Sequence, residues 1–219
     1  MDFVIAIFVV AILVFSAVIH EFAHGWMADS LGDPTARHMG RLTLNPIPHI
    51  DLMGSVLIPL FLIISGVGII FAWAKPVPYN PYNLRDKKNG EMLVALAGPI
   101  SNLIIAVIFG IIVRVMIMQE INSSIIMLFG LIIFINILLA IFNLLPIPPL
   151  DGSKILFHFL PYSMRRVREI LERNGMLMLL IFIFFLGGFR LIIWPILVFL
   201  FVVFTDSTEL LFNMMNMLN

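Results

Sequence analysis

The chain has 219 residues, of which 61% are hydrophobic and only 12% charged, whereas an ordinary soluble domain carries roughly 25% charged residues. Its mean hydropathy of +1.09 predicts an integral membrane protein, and its equal numbers of basic and acidic residues give no reason to expect a nucleic-acid partner. The absence of cysteine excludes disulfides, thiolate metal ligands and a cysteine nucleophile, which leaves His, Asp and Glu as the available ligands.

Five apolar segments predict an all-α polytopic membrane protein with five or six membrane segments. They cover residues 3–31, 52–73, 91–118, 124–145 and 176–204. The first is expected to be a retained membrane helix, because Asp2 stands where a signal peptide would carry basic residues. The last is too long for one straight crossing, so we expect either one tilted helix or a short hairpin.

The whole chain is expected to form one membrane-embedded domain, because its polar connections have only the length of loops. Its core would span about residues 3–160, and C-terminal helices would follow over 161–219. Within that second part, residues 164–174 carry apolar side chains at helical spacing among Arg and Glu. This pattern fits an interfacial helix and a solvated linker helix equally well.

The first apolar segment carries the sequence HEFAH, residues 20–24, near its end. His20 and His24 are four residues apart, so on an α-helix both imidazoles emerge from one face and suit one metal ion. Glu21 lies on the adjoining flank, as does the general base in the H-E-x-x-H motif of zinc hydrolases. Burying one ionised group in a membrane costs at least ~2.5 kcal/mol. Three such residues therefore favour a metal site over an ordinary polar contact between helices.

A catalytic zinc site needs a third protein ligand and an open position for water. Asp151 is the leading candidate, because it follows FNLLPIPPLDG (142–152), in which three prolines end the fourth segment. Its alternative role is to cap a helix over residues 152–160. The other residues that remain open as ligands lie in loops or at helix edges: Asp29, Asp33, His38, His49, Asp51, Glu91 and Glu120.

Taken together, these motifs resemble the site-2 protease family of intramembrane zinc metalloproteases, in its compact form without a PDZ domain. HEFAH, AGPISN (97–102) and NLLPIPPLDG (143–152) occur in the expected order, and the resemblance covers roughly residues 15–160. The stretch GRLTLNPIPHID (40–51) is also similar to the compact subgroup, where it would be extended chain near the active site.

The resemblance implies one Zn²⁺ per chain, with His20, His24 and Asp151 as its ligands. Glu21 would activate the water as the catalytic residue, and Asn143 would contact the substrate or the oxyanion, with Asn102 in a supporting role. The substrates would be single-span membrane proteins in the lipid bilayer, cut in or near their transmembrane helices. The family form suggests a prokaryotic cytoplasmic membrane.

A transmembrane substrate must unwind locally before it is cut, since a helix protects its own peptide bonds. Addition of the unwound chain to a protein strand is one way to hold it. The stretches LTLNP (42–46) and IIFAWAKPV (69–77) could offer such an edge.

The positive charges predict that the active site faces the cytoplasm. Residues 74–90 and 147–175 are rich in Lys and Arg, whereas the turn at 119–123 has none. If the end of the first helix meets Asp151 there, both ends of 52–73 are cytoplasmic and that segment does not cross. We therefore expect a re-entrant helix or β element over 52–78, with its reversal at SGVG (65–68); the alternative is a complete sixth crossing.

Two other functions fit parts of this pattern. A membrane metal or ion transporter could also use intramembrane His and Asp with proline-broken helices. However, a transporter has no need of Glu21, and the chain shows no inverted repeat. A catalytically dead scaffold is disfavoured because the predicted ligand set and Glu21 are both intact.

Overall fold

The computed structural model describes residues 3–65, 72–86, 89–121 and 123–218, and these ranges contain helices and no β-strand. The helices are α1 (Phe3–Ser30), α2 (Thr35–His38), α3 (Ile58–Ser65), α4 (Gly90–Met118), α5 (Ser123–Asn143), α6 (Asp151–Phe159), α7 (Arg165–Leu180), α8 (Trp194–Thr205) and α9 (Thr208–Leu218). Turns of π-helix lie at Leu52–Leu57, Ile181–Phe185 and Phe189–Ile193, and 3₁₀ turns at Ile47–His49, Pro81–Asn83 and Tyr162–Met164. The prediction of an all-α membrane protein is therefore confirmed.

Three helices in the described residues are long and apolar enough to cross a membrane: Val4–Ser30, Gly90–Met118 and Ser124–Asn143. A bent pair, Arg165–Phe185 with Phe189–Thr205, could add one more span. The described residues thus support three or four spans and not the predicted five or six membrane segments. The shortfall lies partly in Leu52–Ser65, because its 14 residues extend only ~21 Å, less than the thickness of a bilayer core.

The last apolar region, predicted as one tilted helix or a short hairpin, is a pair of helices joined at a bend. Its two halves meet at an angle of 72°, and Gly187 lies in the bend with a φ of +63°, which favours glycine. The predicted interfacial or linker helix at 164–174 is the first part of α7, and that helix continues into the apolar region as far as Leu180.

Helix α4 lies at the centre of the bundle, where it packs against α1, α5, α6 and α8. One buried face of α4, at a spacing of four residues, carries Val94, Gly98, Asn102, Ala106 and Gly110. Small residues on such a face let neighbouring backbones approach closely. A Cβ at residue 110, for example, would lie 2.8 Å from the carbonyl oxygen of Phe204. This close packing fixes the distance between α4 and the helices that form the site.

The segment between α1 and α4 folds back along the end of α1. The N–H of Trp73 donates to the carbonyl of Gly54, which pairs the start of the extended residues 72–80 with the Leu52–Leu57 turn. No β-strand forms in the described parts of 42–46 and 69–77. The predicted reversal at 65–68 lies outside the described residues except for Ser65.

Candidate metal centre

Helix α1 brings two histidines to one point near its C-terminal end. His20 and His24 are both buried, and their Nε2 atoms lie 3.0 Å apart. The helix is continuous from Phe3 to Ser30, so the predicted spacing of one turn holds.

Asp151 reaches the same point from the start of α6. Its Oδ2 lies 3.2 Å from Nε2 of His20 and 3.1 Å from Nε2 of His24. Gly152 permits this placement, because a Cβ there would lie 2.2 Å from the carbonyl oxygen of Leu144 at the end of α5. The alternative role for Asp151 is wrong, since the N-cap of α6 is Leu150 and no side-chain cap bond forms.

The second nitrogen of each imidazole is held by an acceptor. Nδ1 of His20 lies 2.6 Å from Oδ1 of Asn102, and Nδ1 of His24 lies 2.7 Å from the carbonyl oxygen of Val94. A carbonyl oxygen only accepts, so Nδ1 of each histidine carries the proton. Nε2 of each histidine then has a free lone pair, which points to the place where the two Nε2 atoms and Asp151 meet.

These three converging donors fit a zinc ion. His20, His24 and Asp151 are the one group in the described ranges whose ligand atoms could hold a metal ion, and all three atoms lie within 4.8 Å of one another. Ligands at ~2.0–2.1 Å from a tetrahedral zinc would lie roughly 3.3 Å apart, close to the separations observed here. Zinc also accepts two imidazoles and one carboxylate as ligands. Hydrogen bonds from the second imidazole nitrogen to an outer-shell acceptor are typical of such sites.

Gly98 on α4 lies directly beside this group. A Cβ at residue 98 would lie 2.5 Å from Nε2 of both His20 and His24. The glycine of the AGPISN motif therefore keeps side-chain atoms away from the position where the donors meet.

Glu21 lies outside the group of three and contacts the extended segment. Its Oε2 accepts a hydrogen bond of 2.7 Å from the backbone N–H of Val77. The same segment donates from the N–H of Lys75 to the carbonyl of His49. The predicted base is therefore held next to residues 73–77.

Asn143 is the last residue of α5, and its side-chain amide donates to the carbonyl of Leu139 on its own helix. The other candidate ligands do not join the group in the described residues. His49 is buried, and its Nε2 donates to the carbonyl of Thr43. Asp33 is a fully buried carboxylate that binds loop residues 80 and 83.

Lys154 is a residue of the site that sequence reasoning missed. Its Nζ lies 3.5 Å from Oδ1 of Asp151 and 5.4 Å from the centre of the Tyr79 ring. Burial lowers the pKa of Lys154, but the negative charge of Tyr79 when it is ionised and the carboxylate of Asp151 outweigh this effect and raise it, so the ammonium is retained.

A cavity of about 280 Å³ adjoins Lys154. Its lining is mixed in charge and comprises Tyr79, Glu91, Pro148, Pro149, Ser153, Lys154, Phe157, Arg168 and Glu172.

Lys154 could have been identified from the sequence by its spacing, because it lies three residues after Asp151 on one helix.

Asn136 was also missed. It is fully buried in α5 and bonds to Asn102 and Ser16. Its burial in an apolar segment was the available signal, because a polar residue in a membrane helix needs a partner.

Comparisons with known proteins agree with this site. A family model described as peptidase family M50 matches residues 112–187. The chain is 36% identical over 197 residues to a Bacillus subtilis protein named "Putative zinc metalloprotease YwhC", with 87% of this chain and 85% of that protein covered. It is 33% identical over 148 residues to a Mycolicibacterium smegmatis protein named "Putative zinc metalloprotease Rip2", with 67% and 54% covered.

No solved structure matches the chain. The Bacillus subtilis relative is nonetheless similar over most of both chains, and the family model independently covers the stretch that contains Asp151. The chain therefore belongs to peptidase family M50, the site-2 proteases.

Proposed function

We propose that this protein is an intramembrane zinc metalloprotease that hydrolyses peptide bonds in or near the transmembrane helices of membrane proteins. The observation that carries the proposal is the convergence of His20, His24 and Asp151 from α1 and α6. Membership of a peptidase family leaves the metal or ion transporter without support. The relatives in Bacillus subtilis and Mycolicibacterium smegmatis carry names that agree with this activity.

His20, His24 and Asp151 would hold one zinc ion, which supplies a Lewis acid for the scissile carbonyl and for the attacking water. Glu21 would accept the proton of the water at its carboxylate and pass it to the leaving amine. Asn143 would contact the substrate or the oxyanion, and Asn102 would orient His20. Gly98 would leave room for the reacting groups.

The hydrogen bonds of residues 73–77 also suggest where the substrate lies. The N–H groups of Trp73, Lys75 and Val77 donate to Gly54, His49 and Glu21. In extended chain, alternate residues point to opposite edges. The backbone of Ala74 would therefore face the opposite edge, on the side away from the Glu21 contact, where an unwound substrate could add as a strand.

The protein would be an integral protein of a prokaryotic cytoplasmic membrane, with one membrane-embedded domain over residues 1–219 and its active site toward the cytoplasm. The basic residues of 74–90 and 147–175 support this orientation. The lipid bilayer and single-span membrane proteins would be its partners.

The decisive experiment uses purified protein with candidate single-span substrates, with and without a zinc chelator. We expect cleavage that the chelator abolishes and that added zinc restores. The Glu21→Gln variant should bind zinc like the wild type, since Glu21 is not a ligand, but lose at least ~100-fold in cleavage rate because the general base is gone. Zinc transport that survives in Glu21→Gln would instead favour the transporter.

Strand addition has a separate test. Ala74→Pro removes the one backbone N–H that residue 74 could offer to a substrate, and Pro76 and Pro78 already lack theirs. We expect this variant to retain zinc and to cut a helical substrate more slowly.

A substrate with helix-breaking residues near its scissile bond should be cut faster than a strongly helical one; equal rates would rule out unwinding as the limiting step.

A further inference from the structure

A chain of buried polar side chains links the interior of α5 to the proposed zinc site. Asn136 on α5 and Asn102 on α4 are fully buried, and Ser16 on α1 is almost so. All three belong to membrane-spanning helices, where a polar group must find a partner within the protein.

The orientation of Asn136 is fixed by its own helix. Its Nδ2 donates to the carbonyl oxygen of Ile132 and to the hydroxyl oxygen of Ser16, each at 2.9 Å. A backbone carbonyl only accepts, so the amide must turn its nitrogen toward Ile132. Its Oδ1 then faces Asn102.

The contact with Asn136 sets the orientation of the Asn102 amide group. Its Nδ2 donates to Oδ1 of Asn136 at 2.9 Å and to the carbonyl oxygen of Ser16 at 3.4 Å. Oδ1 of Asn102 must then face His20, where it lies 2.6 Å from Nδ1. The proton of the His20 imidazole is thereby placed on Nδ1, and Nε2 is left with its lone pair toward His24 and Asp151.

The two histidines differ in the group that fixes the proton on Nδ1. Nδ1 of His24 donates directly to the carbonyl of Val94, which cannot reverse its polarity. Nδ1 of His20 meets a side-chain amide, which could present either its oxygen or its nitrogen. We propose that Asn136, anchored on the Ile132 carbonyl and aided by Ser16, is a positioning residue that fixes the orientation of Asn102 and, through it, the metal-binding nitrogen of His20.

This inference rests on the proposed zinc binding, and its test measures zinc affinity. Asn136→Leu keeps the size of the side chain but removes the nearer acceptor of the Asn102 amide nitrogen, which leaves only the Ser16 carbonyl oxygen at 3.4 Å to oppose rotation of the amide. We expect its zinc dissociation constant, measured by competition with a chromophoric chelator in detergent, to rise ~10-fold, and that of Asn102→Leu ~10- to 100-fold. An unchanged dissociation constant in Asn136→Leu would overturn the proposal.

A double variant and a control separate positioning from general damage. Because Asn136 acts through Asn102, Asn102→Leu with Asn136→Leu should bind zinc no more weakly than Asn102→Leu alone. If the losses of zinc affinity in the two single variants simply add in the double variant, Asn136 does not act through Asn102. Thr205→Val removes a buried hydroxyl that donates to Phe201 on α8, far along the chain from this network, and should leave zinc affinity unchanged.

A second measurement needs no folded variant. In zinc-free wild-type protein with isotope-labelled histidine, nuclear magnetic resonance should find the proton of neutral His20 on Nδ1; a proton on Nε2 would overturn the proposal. Failure of the protease function would look different. A wild type that binds zinc with these dependencies but cuts no membrane substrate would contradict that function and leave the role of Asn136 standing.

Discussion

Gly98 lies directly against the proposed zinc ligands. Each donor of the group comes from a helix held close to α4, and a Cβ at residue 98 would lie within 2.5 Å of both histidine Nε2 atoms. Those atoms cannot move aside easily, because Asn102 and Val94 hold the opposite sides of the two rings. A methyl group at this position must therefore displace the metal ligands.

Gly98→Ala is expected to weaken zinc binding by roughly 10-fold or more, as the loss of an outer-shell partner does. Alanine favours a helix over glycine by about 1 kcal/mol, so weaker binding could not be attributed to loss of helix stability. Chelator competition measures the effect. Gly130→Ala on α5 is the matched control, because its nearest neighbour is the flexible side chain of Met214. Equal zinc affinity in Gly98→Ala and wild type would contradict this account.

Single residues were predictable from sequence where their chemistry is rare in a membrane. His20, Glu21 and His24 stood out because ionisable groups are costly in apolar surroundings. Asp151 stood out because it follows three prolines that end the fourth apolar segment. Lys154 and Asn136 did not stand out, since their roles depend on which residues other helices bring beside them. The N-cap alternative for Asp151 failed because the helix begins one residue earlier than that role requires.

At the scale of elements, the loops around the site are held by one buried carboxylate. Asp33 follows α1 and accepts hydrogen bonds from the backbone N–H of Asn80 at 2.6 Å and the side-chain amide of Asn83 at 2.8 Å. The backbone N–H of Arg85 donates to the carbonyl of Leu31 beside it. These bonds fix the end of the extended segment against the end of α1, and so help to hold Val77 at Glu21.

Asp33→Ala should lower the free energy of unfolding by about 2 kcal/mol, because it leaves buried donors without their charged acceptor. Burial raises the pKa of Asp33, but hydrogen bonds from Thr35, Asn80 and Asn83 outweigh it and lower the pKa. The carboxylate therefore stabilises the fold above its ordinary pKa of ~3.9, and this stabilisation is lost as the pH falls through the lower folded value.

Thermal unfolding in detergent as a function of pH measures both effects. The wild type should lose stability below about pH 4, and Asp33→Asn should lack that part of the pH dependence. Asp206→Asn, an exposed acidic residue after α8, serves as the control. Identical pH profiles for Asp33→Asn and wild type would argue against the role of Asp33.

Elements were predictable where apolar character runs unbroken for a full span. Helices α1, α4 and α5 match the predicted segments closely, since a membrane span must satisfy its own backbone as a helix. The count of five or six membrane segments was not supported, because Leu52–Ser65 is shorter than a full span and the last apolar region is bent. A bend of 72° near Gly187 depends on packing that the local pattern does not specify.

At the scale of the whole molecule, the contact between Asp33 and Asn80 bears on topology. These residues flank the segment that includes Leu52–Ser65, and a hydrogen bond joins them. Both ends of that segment therefore lie at the same end of the bundle. This supports the proposal that 52–73 does not cross the membrane.

Cysteine labelling tests this topology without a background, because the chain has no cysteine. Met39→Cys and Tyr82→Cys replace exposed side chains on either side of the segment, and we expect both to be labelled from the cytoplasm. Met118→Cys, at the far end of α4, should be labelled from the opposite side. Labelling of positions 39 and 82 from opposite sides would mean that the segment crosses.

The sequence by itself determined the membrane environment, the three long spans and the pair of histidines with Glu21, because each depends on local composition or on spacing within one helix. Only the tertiary structure decided that α4 supplies the wall of the site, that Lys154 reaches Asp151, that Asn136 reaches Asn102, and that 72–80 lies against Glu21. The physical reason is that these contacts join residues from separate helices. Their meeting depends on close packing between helices, which a pattern read along one chain does not contain.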